Sequence, residues 1–136
     1  MTLFRGCLGG ASLLIGAATF VAQAQAFELT GIWATDAAQC GKIFTKKGAE
    51  VAFAPMSDFY GDGFIIEGDR IRAKIARCTI TSRTQDGATI RLSATCASEV
   101  AVETVQFSLK VIDDNTIARI YPGDAAMDVN FHRCTL

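Results

Sequence analysis

The chain of 136 residues contains one histidine, one tryptophan, two prolines and no Cys-x-x-Cys pair. Each shortage excludes something. His132 is the only imidazole, and no serine sits in a nucleophile-elbow context, so a Ser–His or Cys–His catalytic system lacks its parts. Without paired cysteines, a structural zinc site has no ligand set. An excess of one charge is also missing. The 13 Lys and Arg residues face 14 Asp and Glu residues, a balance that argues against a nucleic-acid binder held by phosphate contacts. Half of the residues are apolar, which is too many for a disordered chain, and the length suits a single domain.

The first residues read as a leader. Met1 to Arg5 carry one positive charge, Cys7 to Val21 form a 15-residue apolar and small run, and Ala22-Gln23-Ala24-Gln25-Ala26 follows. This is the pattern of a secretory signal peptide over residues 1–26, cut after Ala26, with Ala24 as the alternative. The run is shorter than the roughly 20 residues a spanning helix needs. Cys7 lies at the start of the run and not at the cleavage site, which argues against a lipid-modified N-terminus. The expected folded unit is residues 27–136, a 110-residue domain in the periplasm or secreted, with no stable membrane insertion. Four cysteines remain in it, Cys40, Cys78, Cys96 and Cys134, and an even count in a small exported domain reads as two disulfides.

Period-two alternation dominates this domain. The exception is Asp36-Ala37-Ala38-Gln39, a capping-box pattern that starts a short helix from about Ala37 to Phe44, interrupted or ended near Gly41. A hairpin turns at Gly68-Asp69, opposing Ile66 to Ile71 and Phe64 to Ala73, with Glu67 and Arg70 as an outward pair. A second turns around Gly87. Placing Cys78 and Ile80 on the same face as Ile90, Leu92, Ala94 and Cys96 requires a three-residue loop there, which sets Cys78 opposite Cys96. Cys78–Cys96 with Cys40–Cys134 is therefore the favoured connectivity of the three available. Ile71, Ala73 and Ile75 fall out of phase with Cys78 and Ile80, so a β-bulge is expected near Ala76-Arg77. Val105 to Val111, Ile117 to Tyr121 and Met127 to Phe131 continue the alternation. With Leu29 to Ala34 and Val51 to Ala54 this makes about eight strands. The expected fold is an all-β, antiparallel up-and-down barrel, with a two-sheet sandwich as the competing architecture.

Gly31-Ile32-Trp33 in the first strand and Arg133 in the last resemble the calycin pattern, a G-x-W with a late Arg packed over the indole. Calycins include lipocalins, fatty-acid-binding proteins and small periplasmic metalloprotease inhibitors. The resemblance implies a barrel closed at its base by Trp33 and Arg133, a structural role. The spacing of Trp33, Cys40, Cys78, Cys96 and Arg133-Cys134 is also similar to that in a family of small exported alphaproteobacterial proteins.

Functional candidates are few. His132 reads as a strand-end residue. Asp58 to Asp69 imitates a calcium loop, but Tyr60 occupies a ligand position and a strand follows, so no metal is expected. The segment from Pro55 to Gly63 carries Met56, Phe59 and Tyr60, which would contact a ligand or partner at a barrel rim or fold back to cap the core. Arg70, Arg72, Lys74 and Arg91, like Lys42, Lys46 and Lys47, read as solvated faces. Inward Phe64, Ile66, Ile90, Leu92, Phe107 and Leu109 are expected to leave little room inside. The expectation is a non-enzymatic protein without a cofactor that binds a small apolar ligand or an envelope protein. The alternative is an inhibitor of an exported hydrolase, inserting an N-terminal segment or a loop.

Overall fold

From Gly31 onward the alternating residues form ten strands in the computed structural model, which describes residues 16–20 and 25–136. The leader reading, with Cys7, falls largely outside the described residues. In chain order the strands are β1 (Gly31–Ala34), β2 (Phe44–Lys47), β3 (Glu50–Phe53), β4 (Gly63–Glu67), β5 (Arg70–Arg72), β6 (Ala76–Asp86), β7 (Thr89–Ser98), β8 (Val102–Asp113), β9 (Thr116–Ile120) and β10 (Val129–Cys134). Eight of them close into an antiparallel barrel in the order β1-β10-β9-β8-β7-β6-β5-β4. Closure leaves the barrel sheet without an exposed edge, and the sandwich is not formed. The strand expected at Val51 to Ala54 is β3, which pairs with β2 outside the barrel. No described helix is long and apolar enough to cross a membrane.

The excursion between β1 and β4 packs on the outer wall. Asp36 accepts a hydrogen bond from Ala38 N–H at 2.9 Å and starts a 3-10 turn (Ala37–Gln39) that leads into α1 (Cys40–Ile43). The reciprocal half of the capping box is absent: Gln39 Oε1 is buried without a partner. The helix ends one residue before Phe44, because Phe44 enters β2 to pair with Phe53. Ile43, Phe44 and Cys40 cover the outward residues Ala34, Ile65 and Cys134 of the barrel wall. The disulfide Cys40–Cys134 fastens this second core. The first core fills the barrel with Trp33, Ile66, Ile90, Leu92, Ile117 and Phe131. Each such side chain, fully buried, contributes about 1.5–3 kcal/mol.

Two registers differ from expectation. Ile71, Ala73 and Ile75 do not share a strand that bulges at Ala76-Arg77. The chain turns back instead: Arg72 opposes Arg77, Ala73 N–H donates to Ala76 O at 2.8 Å, and Ile75 stands exposed at the tip. The phase change between the two apolar rows is that of two antiparallel strands. The Gly68-Asp69 hairpin keeps the expected register, with Ile66 opposite Ile71 and Glu67 opposite Arg70, but its pairing ends at Arg72, one residue short of Ala73, and Glu67 forms its ion pair with Arg72 at 3.1 Å. In the next hairpin Cys78 does oppose Cys96, and the two are bonded. The loop, however, is the two-residue Gly87-Ala88, and a bulge between Ile80 and Ser82 restores the phase. Below that bulge Arg83 and Gln85, opposite Leu92 and Ile90, take the inward face. Met127 lies in a 3-10 turn (Ala125–Met127) before the last strand begins at Val129.

Candidate functional site

One end of the barrel is closed by its own side chains. Trp33 is fully buried and its Nε1–H donates to Leu29 O at 2.9 Å. Arg133 lies across it, with Cζ 4.3 Å from the indole centroid, an attractive cation–π geometry. Its Nη1 and Nη2 donate to Thr30 O and Glu28 O, each at 2.8 Å. A side chain at Gly31 would meet Arg133 Nη1 at 2.6 Å, on a backbone whose φ is already +152°. This explains why glycine precedes the tryptophan by two residues. Phe27 completes the layer: its N–H donates to Gln85 Oε1 at 3.1 Å, and its carbonyl accepts from Arg83. The Glu28 carboxyl is held below its ordinary value, chiefly by the Thr30 N–H, then by the Thr30 hydroxyl, with Arg83 and Arg133 adding.

The other end is open. Inside it lies a cavity of about 320 Å³, lined by Phe64, Ile66, Leu92, Leu109 and Phe131 and by the inward disulfide Cys78–Cys96. The bulky inward residues thus leave more room than the sequence suggested, because Ala73, Ala76 and the two half-cystines occupy positions on the facing wall. Polar groups stand only at its upper margin: Asp62 where β4 begins, Glu103 near the start of β8, and Arg119 on β9. Arg119 Cζ lies 4.9 Å from the ring centroids of both Phe107 and Tyr121.

Met56, Phe59 and Tyr60 do not line this cavity. They stand beside the mouth, 64%, 77% and 42% exposed, on a segment that ends in a 3-10 turn (Ser57–Phe59). They do not fold back over the core. An ion pair from Asp58 to Lys74 ties this segment to the turn between β5 and β6. Lys42 approaches the Tyr60 ring at 4.9 Å. Asp62 Oδ1 accepts from Gly63 N–H at 2.8 Å, so Asp58 and Asp62 of the calcium-like stretch each have a local partner. His132 is half-buried on the outer wall, its Nδ1 3.5 Å from the Thr116 hydroxyl. Among the described residues, no three His, Cys, Asp or Glu side chains converge as metal ligands.

Arg119 and Glu103 escaped the sequence reading. Glu103 shares the parity of Val105, Phe107 and Leu109, which was its signal, whereas β9 has apolar residues on both faces and gave none for Arg119. No protein-family model, curated protein or solved structure matches the chain. The two disulfides mark an oxidising compartment outside the cytosol.

Proposed function

We propose that this protein is a non-enzymatic, periplasmic or secreted binding protein that takes a small apolar ligand into the open end of its barrel. The observation that carries this reading is the apolar cavity of about 320 Å³, closed below by Trp33 and Arg133 and open above. Its volume lies at the lower end of the roughly 300–1,000 Å³ typical of small-molecule sites. In this reading Met56, Phe59 and Tyr60 are contact residues beside the mouth, for an entering ligand or an envelope partner. Inhibition through an N-terminal arm finds less support. Leader cleavage after Ala26 leaves Phe27 to Thr30 as that arm, and Gln85, Arg83 and Arg133 hold it against the closed end.

A fluorescence titration with phenylnaphthylamine, a neutral apolar probe, tests the proposal. Saturable binding at one site is expected. Leu92→Trp, which fills the cavity, should weaken it at least tenfold while Cys78–Cys96 still forms. Ile71→Phe serves as a second filling variant. Absence of binding, or equal binding by both filled variants, would overturn the reading.

A further inference from the structure

The cavity has one feature that an all-apolar ligand leaves unused. Arg119 is half-buried, lines the cavity, and lies over the rings of Phe107 and Tyr121, 4.9 Å from each centroid. Among the described residues its guanidinium has no ion-pair partner and no side-chain hydrogen bond. Such a group presents five N–H donors in a rigid fork, which at this half-exposed site are left to water until a ligand supplies the acceptor. The acidic groups around it do not supply one. Glu103 lies on β8 six residues from Leu109, the strand partner of Arg119, which is about 20 Å of extended chain. Asp128, next to the other partner Val129, accepts from Tyr121 N–H at 2.9 Å. Asp62 is engaged with Gly63 N–H.

We infer that the ligand of this cavity carries a carboxylate, received by the Arg119 guanidinium, with its apolar body lying between Leu92, Leu109 and Phe131. A planar fork matches a carboxylate through two parallel hydrogen bonds, and the cation–π contacts with Phe107 and Tyr121 favour one position for it before the ligand arrives. The volume of about 320 Å³ equals roughly ten water volumes, enough for a medium-length acyl chain or a single ring with a short tail. A diacyl lipid does not fit. The inference rests on the cavity reading above and names the chemistry of the ligand within it.

Matched pairs separate the two claims. Isothermal titration of the disulfide-bonded protein with octanoate and octanol, and with phenylbutyrate and phenylbutanol, compares acid with alcohol on the same apolar body. The acid of at least one pair should bind about tenfold tighter, the scale of one charge-assisted contact at a half-exposed site. Arg119→Gln should remove that preference and leave the alcohol affinity unchanged, which also reports that the cavity is intact. Arg119→Lys should keep part of it. Equal binding of acid and alcohol to the native protein, or a preference that survives Arg119→Gln, would overturn the carboxylate assignment alone. Binding of neither class would overturn the cavity reading and the assignment with it.

Discussion

Arg133 and Arg119 present the same guanidinium from neighbouring strands and are treated in opposite ways. Arg133 has two carbonyl acceptors at 2.8 Å and an indole beneath it, so its donors are consumed by the fold. Arg119 lies over two aromatic rings and, among the described residues, has no side-chain hydrogen bond and no ion-pair partner. The first is a closure and the second an open valence. Replacing Arg133 with Met should therefore destabilise the domain, by about 1.5 kcal/mol given its partial exposure, while leaving ligand affinity at the far end unchanged. Arg133→Lys should recover less than half, because an ammonium cannot serve Thr30 O and Glu28 O together. Urea unfolding followed by the fluorescence of Trp33, the only tryptophan, measures both variants. A full rescue by Lys would show that charge alone matters there. The Trp33 and Arg133 pair was legible in the sequence because the single tryptophan follows Gly31 by two residues in the first strand and the arginine stands in the last, as in the calycin pattern. Arg119 was not, since Ile117, Ala118, Ile120 and Tyr121 put apolar residues on both faces of β9 and leave its phase undetermined.

Turns decide the elements. The hairpins at Gly68 and Gly87 both bend through a positive φ, +61° and +59°, while the residue after each glycine keeps a negative φ, as a type II′ turn requires. The turn positions were visible in the residues, but the length of the second loop was not. A three-residue loop and a two-residue loop with a bulge at Thr81 bring Cys78 to the same partner, so the apolar pattern cannot distinguish them. They differ in what happens between bulge and turn, where Arg83 and Gln85 face inward and hold Phe27. Two glycines offer a test with opposite signs. Gly87→Ala places a side chain in a left-handed position and should cost about 1 kcal/mol, even though the space around it is empty. Gly41 in α1 also has open space around it and no positive φ, so Gly41→Ala should stabilise by roughly 0.5–1 kcal/mol. Thermal melts of the two variants give the signs. Stabilisation by Gly87→Ala would exclude the tight turn.

At the scale of the whole molecule, the barrel was readable from eight alternating strands, but the second core was not. Odd and even apolar rows in β1, β4 and β10 serve two cores at once: Trp33, Phe64 and Phe131 face inward, Ile65 and Cys134 outward. A strand buried on both faces no longer alternates, and the excursion of residues 35–62 that covers its outer face shows only weak periodicity. The two disulfides accordingly do different work. Cys78–Cys96, with a separation of 18 residues, clips adjacent strands within the cavity wall. Cys40–Cys134, with a separation of 94, joins the excursion to the last strand and closes nearly the whole domain into a loop. On the chain-entropy account the shorter contributes about 3 kcal/mol and the longer about 4.7. A domain of this size has a total stability of about 5–15 kcal/mol. Replacing Cys40 and Cys134 by Ala should thus lower the unfolding free energy by more than replacing Cys78 and Cys96, and full reduction should leave the chain largely unfolded. Denaturant titrations of the two double variants, with and without reductant, measure the order. A larger loss from the inner pair would mean that the barrel wall, and not the clasp between the two cores, is where the fold is weakest.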